Sequence, residues 1–159
     1  TASSTGMILF MIMGVMIFNL FLVMTGLPPK LAEVTLGITH SPIGVLLIVA
    51  ILYIFLGTFM DAAAVILLTV PIFYPVVVTS LGVSSLLFGV VAVMAMGLGA
   101  VTPPYGIVVF AMSGVVKDVP MYKIFKGAAP FVAGAAVCWL LIIFFPQIAT
   151  WLPSMMMRR

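Results

Sequence analysis

The chain has 159 residues, of which 65% are hydrophobic and only 6% are charged, and its formal net charge is +3. A soluble domain carries about 25% charged residues, so this composition excludes an ordinary water-exposed surface and indicates an integral membrane protein. The few Lys and Arg residues form no basic patch with interleaved aromatic residues, which argues against a nucleic-acid partner. Because the sequence begins with Thr1 and not Met, we expect residues 1–159 to be one transmembrane region of a longer polypeptide.

The first two predicted elements are a membrane span and an interfacial helix. Residues 7–27 form an apolar run that is long enough to cross a hydrocarbon core of roughly 30 Å. Two prolines end this run. Residues 30–37 then combine apolar side chains with Lys30 and Glu33, a pattern that predicts a short amphipathic helix in the membrane interface.

The next apolar stretch, residues 43–78, predicts a re-entrant hairpin. It is too long for one span and short for two complete spans joined by a polar loop. Gly57, Thr58 and Asp61 stand at its centre, so two half-length helices would meet at a tip between Gly57 and Asp61. A carboxylate inside a membrane segment indicates a functional site, although Asp61 could equally cap the helix that follows it.

The apolar stretch at residues 86–116 is interrupted by ten residues that are rich in glycine and proline. This segment runs from Gly97 to Gly106 and contains Thr102, Pro103 and Pro104. Proline and glycine disfavour helix, and each unsatisfied backbone group at membrane depth costs several kcal/mol. Transporters build ion and substrate sites from such interruptions. A simple proline kink repaired by neighbouring helices is the alternative interpretation.

A final helix is predicted over residues 127–152.

The chain offers no Ser/Lys pair, paired aspartates or zinc-protease motif at usable spacing, which argues against an intramembrane enzyme. The lone His40 has no partners at metal-ligand spacing, so no transition-metal site is expected.

The order of these motifs resembles a known family. The sequence has Leu56 to Asp61, then Thr69-Val70-Pro71 and Pro75, then Thr102-Pro103-Pro104 with Gly106, and finally the closing segment Phe145 to Pro153. In this order and spacing the chain resembles the C-terminal portion of the large membrane subunit (the M, or DctM-like, subunit) of tripartite ATP-independent periplasmic (TRAP) transporters. The resemblance covers nearly the whole chain.

The resemblance implies an all-α membrane protein that supplies the second inverted repeat of an elevator-type secondary transporter, with a re-entrant hairpin and a discontinuous helix. It implies Na⁺ as the coupling ion, no other cofactor, and an organic acid as substrate, either a dicarboxylate or a sialic-acid-like molecule. The expected partners are a small membrane subunit, a periplasmic substrate-binding protein and the first repeat of the large subunit, all at the bacterial cytoplasmic (inner) membrane. The expected Na⁺ ligands are Gly57, Thr58, Asp61, Gly97, Gly99, Val101 and Thr102, and the expected substrate contacts are Thr102, Pro103, Pro104 and Gly106.

Two departures from the family pattern limit what the resemblance implies. Many relatives carry Glu where this chain has Gly97, so any contribution of that carboxylate is absent here. The first repeat is also missing, and half of a transporter lacks half of its substrate site. A non-transporting structural or assembly subunit is the competing class, and a channel would also accommodate interrupted helices.

Overall fold

A computed structural model describes residues 2–26, 29–30, 33–34, 37, 39, 41–103, 106–116 and 118–156, and no strand occurs among them. The chain is all-α, as predicted. We number its helices in chain order as α1 (Ala2–Met24), α2 (Pro42–Phe59), α3 (Ala62–Tyr74), α4 (Ser85–Val101), α5 (Ile107–Val115), α6 (Met121–Phe144) and α7 (Gln147–Met156). Of the predicted interfacial helix at residues 30–37, the structure describes Lys30, Glu33, Val34 and Gly37, and all four are helical.

Within the described part of the chain, three helical segments are long and apolar enough to cross a membrane by length and composition. These are Pro42–Phe59, Ala62–Ser80 and Met121–Phe144. The first two are the arms of the predicted hairpin, and at 18 and 19 residues they are longer than the half-length helices that the sequence suggested.

Gly57 lies inside a helix, and the break between the arms falls at Met60 and Asp61, at the C-terminal end of the predicted tip. Helix α2 continues through Gly57 and Thr58 to Phe59, and only Met60 and Asp61 separate it from α3. Gly57 is tolerated in the helix interior because its missing side chain lets another helix approach, as described below. The connection between the arms is therefore shorter than the predicted tip.

Helix α3 passes through Pro71 and continues beyond Tyr74 as a π-helical segment, Pro75–Ser80. Each proline removes one backbone donor, and local π-helical adjustments are one way in which membrane helices satisfy the backbone groups that proline leaves free. Gly82, with φ +69°, then allows the tight turn into α4.

Helix α4 lies at the centre of the fold and contacts each of the helices α2, α3, α5, α6 and α7. Its most extensive partner is α2. Gly97 and Gly99 lie inside α4, which ends at Val101. The interruption therefore begins at Thr102 and not at Gly97.

The predicted final helix at residues 127–152 is two helices. Helix α6 starts earlier, at Met121 after Pro120, and ends at Phe144, and α7 begins at Gln147. Pro146 separates them because proline disfavours helical backbone in the residue before it. Within α6, the indole Nε1 of buried Trp139 donates a hydrogen bond of 3.2 Å to the carbonyl oxygen of Val91 in α4.

Candidate functional site

Helices α2 and α4 run parallel, side by side. Their first turns line one cavity, where Pro42, Ile43 and Leu46 face Ser84 and Leu87. Their last turns meet at two glycines described below. The end of α2, followed by the connection to α3, therefore lies at the same end of the helix pair as the interruption after α4.

The contact between the last turns involves Gly57 and Gly99. A Cβ placed on Gly57 would lie 3.0 Å from the carbonyl oxygen of Met96 and 3.5 Å from the Cα of Gly99. A Cβ on Gly99 would overlap the carbonyl oxygen of Ile54. The two backbones are in direct contact here, which small residues permit at helix interfaces inside membranes.

Two threonines stand near this contact along their helices. Thr58 follows Gly57, and Thr102 follows Gly99 by three residues, so both are within about one helical turn of it. Thr58 Oγ1 donates to the carbonyl oxygen of Phe55 at 2.7 Å, and Thr102 Oγ1 donates to that of Leu98 at 2.6 Å. Because each proton is used inside its own helix, each oxygen keeps its lone pairs to accept a hydrogen bond or to bind a cation.

Asp61 caps helix α3, in agreement with the alternative considered from the sequence. Its Oδ2 accepts a hydrogen bond of 3.0 Å from the backbone N–H of Ala63, and its side chain is exposed. This cap uses only one of the two carboxylate oxygens of Asp61. Asp61 lies at the same end of the α2–α4 pair as Thr58.

The interruption between α4 and α5 is a compact turn in which backbone groups contact one another. The backbone N–H of Thr102 donates to the carbonyl oxygen of Gly99 at 3.1 Å, and Gly106, the N-cap of α5, has a left-handed backbone with φ +49°. A Cβ on Gly106 would lie 3.3 Å from the carbonyl oxygen of Thr102 and 3.1 Å from the ring of Phe125 in α6. Pro103 is exposed, and Pro104 lies outside the described residues.

A cavity of about 290 Å³ lies between the interruption and α6, next to two of the predicted substrate residues. Thr102 and Pro103 line it together with Phe125, and the rest of its wall is apolar. Phe125 is a residue that the sequence did not single out. It stands in an ordinary helical run, and no local signal marks its position over Gly106.

The predicted cation residues do not all share one surface. Gly57 and Gly99 are in contact, with Thr58 and Thr102 close by, whereas Gly97 is exposed, and a Cβ added to it would meet no atom of another element within 4 Å. Gly97 and Val101 instead line an apolar cavity against α6. Within the described parts of the chain, no three His, Cys, Asp or Glu residues lie close enough together to hold a metal ion.

Comparison with known proteins gives one consistent family. The family model described as "Tripartite ATP-independent periplasmic transporter, DctM component" matches residues 1–148. The chain is 33% identical over 98% of its length to the sialic acid TRAP transporter large permease protein SiaM of Vibrio cholerae. It is 29% identical over 96% of its length to the C4-dicarboxylate TRAP transporter large permease protein DctM of the same organism. It is 33% identical over 96% of its length to the ectoine/5-hydroxyectoine TRAP transporter large permease protein UehC of Ruegeria pomeroyi.

The chain spans 36% of SiaM, 33% of the Vibrio DctM protein and 36% of UehC. It therefore corresponds to about a third of a large permease. This coverage is consistent with a C-terminal portion, as the sequence motifs indicated. The family match over residues 1–148 and the span-length apolar helices agree that this is an integral protein of the bacterial inner membrane, and the chain belongs to the DctM component family of tripartite ATP-independent periplasmic transporters.

Proposed function

We propose that this chain forms part of the membrane permease of a sodium-driven, binding-protein-dependent importer of organic acids. The cation binds where the end of α2 meets the end of α4. The substrate binds beside the interruption between α4 and α5.

The observation that carries this proposal is the parallel pairing of α2 and α4, which ends in two threonine hydroxyls. Both Thr58 and Thr102 donate their protons to carbonyl oxygens of their own helices, so their oxygens remain available only as acceptors. Hard cations prefer such oxygen ligands. Val101 belongs to the last turn of α4, where helix carbonyls lack intrahelical partners, and its carbonyl oxygen is a further proposed ligand. The free carboxylate oxygen of Asp61 adds negative charge at the same end.

The relatives and the interruption both support the proposed substrate class. Sialic acid, C4-dicarboxylates and ectoine, which the relatives' names give as their substrates, all carry a carboxylate. The N-terminus of α5, which begins after Gly106, presents backbone N–H groups and a positive helix dipole that favour an anion. Thr102, Pro103, Pro104 and Gly106 are the proposed substrate contacts.

The transport cycle that we propose requires more than this chain. Helices α2 and α3 act as a re-entrant hairpin and α4 and α5 as a discontinuous helix, in one of two inverted repeats that move together in an elevator motion. The other repeat, on the remainder of the large subunit, completes the substrate site. A small membrane subunit and a periplasmic substrate-binding protein complete the importer.

The test is uptake into proteoliposomes that contain the full-length permease with its membrane partner and binding protein. Radiolabelled N-acetylneuraminate, succinate and ectoine are each supplied with an inward sodium gradient and with a potassium gradient of equal ionic strength. Uptake of at least one acid that requires both sodium and the binding protein supports the proposal. Equal uptake under both gradients would refute sodium coupling, and no uptake of any organic acid would favour a structural subunit.

A further inference from the structure

The contact between α2 and α4 is reciprocal. On α2, the Ile54 carbonyl oxygen faces Gly99, and on α4, the Met96 carbonyl oxygen faces Gly57. In each helix the carbonyl precedes the glycine by three residues, so the two helices present the same surface to each other. A glycine Cα–H against a carbonyl oxygen is a weak hydrogen bond that recurs where helices pack closely.

Other glycines of the same helices do not share this environment. A Cβ added to Gly89 or Gly97, both in α4, would meet nothing within 4 Å, and a Cβ on Gly44 in α2 would meet only the side chain of Thr39. The requirement for glycine against the backbone of a second helix is therefore confined, within α2 and α4, to Gly57 and Gly99.

We propose that Gly57 and Gly99 are positioning residues, which set the spacing between Thr58 and Thr102 by steric contact. This inference rests on the proposed cation site, and it assigns the two glycines a role other than supplying a ligand. The carbonyl oxygen of Gly99 already accepts the backbone N–H of Thr102. The same contact thus ties the position of Thr102 to the surface of α2.

Alanine at either glycine separates the helices without removing any backbone oxygen. In Gly99→Ala the new methyl group overlaps the Ile54 carbonyl, which is backbone and cannot rotate away. In Gly57→Ala it lies 3.0 Å from the Met96 carbonyl, so a smaller displacement relieves it. The cation affinity should therefore fall in both variants, and further in Gly99→Ala.

The test measures thermal unfolding of the full-length permease in its complex, in rising NaCl with KCl keeping the ionic strength constant. This assay needs only sodium as the probe, and it yields the sodium concentration that gives half of the maximal stabilisation. We expect this concentration to rise about tenfold in Gly99→Ala and about threefold in Gly57→Ala. Gly89→Ala is the matched control, with the same substitution in the same helix, and it should stay within about twofold of the unmodified protein.

The half-saturating sodium concentration separates a positioning role from a purely structural one, because lost packing alone lowers the unfolding temperature in KCl without changing the sodium dependence. Should Gly99→Ala fail to fold, the milder Gly57→Ala decides the matter. Unchanged sodium dependence in the folded glycine variants, or an equal shift in Gly89→Ala, would overturn the positioning role alone. If sodium does not stabilise even the unmodified permease, the proposed sodium coupling itself is wrong.

Discussion

Replacing Thr102 with valine isolates the contribution of one oxygen to the proposed cation site. Valine has nearly the same shape as threonine, and it removes the hydroxyl that now donates to Leu98 at 2.6 Å. The helix loses a local side-chain bond, and the cation loses a ligand. Thr69 offers a matched control, because its hydroxyl makes the same kind of bond to Val65, also at 2.6 Å, in the buried part of α3.

The expected size of the effect follows from the burial of Thr102 and the charge of the ion. A contact between a polar group and a charged one is worth about 1.5–3 kcal/mol, which corresponds to roughly a 10- to 150-fold change in affinity. Thr102 is only half-buried, so we expect the lower part of this range, about a tenfold rise in the half-saturating sodium concentration.

The assay is sodium-titrated uptake of the transported acid into proteoliposomes, at a fixed membrane potential. Thr102→Ser, which keeps the hydroxyl, should retain most of the sodium affinity. Thr69→Val should lower the unfolding temperature and leave the half-saturating sodium concentration unchanged. An unaltered sodium dependence in Thr102→Val, or a shift of the same size in Thr69→Val, would refute the assignment of Thr102 as a cation ligand.

Three further predictions concern the surroundings of the site. Trp139→Phe removes the indole hydrogen bond between α6 and α4 and should reduce the free energy of unfolding by about 1 kcal/mol. Thermal unfolding should then show a lower midpoint temperature. An unchanged midpoint would show that this bond contributes nothing to stability. Asp61→Asn keeps a capping oxygen and removes the charge, so it should weaken sodium binding while the unfolding temperature in KCl is maintained. Asp61→Ala should lower both the sodium affinity and the unfolding temperature, because it also removes about 1 kcal/mol of helix capping. Full sodium affinity in both Asp61 variants would limit Asp61 to capping. Gly106→Ala forces a side chain into a left-handed backbone at a cost of about 1–2 kcal/mol and also presses on the ring of Phe125. Adding Phe125→Leu should restore part of the unfolding temperature, and no recovery would place the whole cost in the backbone.

The sequence was most informative where backbone chemistry limits the choices. Proline and glycine at positions 103, 104 and 106 predicted the end of α4, and the structure ends that helix at Val101 and begins the next at Ile107. Family membership was also predictable from the motifs. The last predicted helix, by contrast, divides in two at Pro146, and this division was not predicted because the sequence pattern shows a continuous apolar run there.

The glycines were misread because sequence alone does not show what a glycine faces. Gly57 and Gly99 resemble helix breakers in isolation, yet both lie inside helices, where their missing side chains admit the backbone of a neighbour. Gly97 lies inside α4 as well, but nothing approaches it. Long-range packing decides between these cases, and the same limitation hid the contact of Phe125 with Gly106.

Whether Thr58 and Thr102 bind one cation is tested most directly by a double-mutant cycle. It compares Thr58→Val, Thr102→Val and the combined variant, read as half-saturating sodium in the full-length permease. If both oxygens contact the same ion, the two effects are coupled, and the combined shift should differ from the product of the single shifts by about fivefold or more. Single shifts that simply multiply would place the two threonines at independent sites and contradict a shared cation site at the junction of α2 and α4.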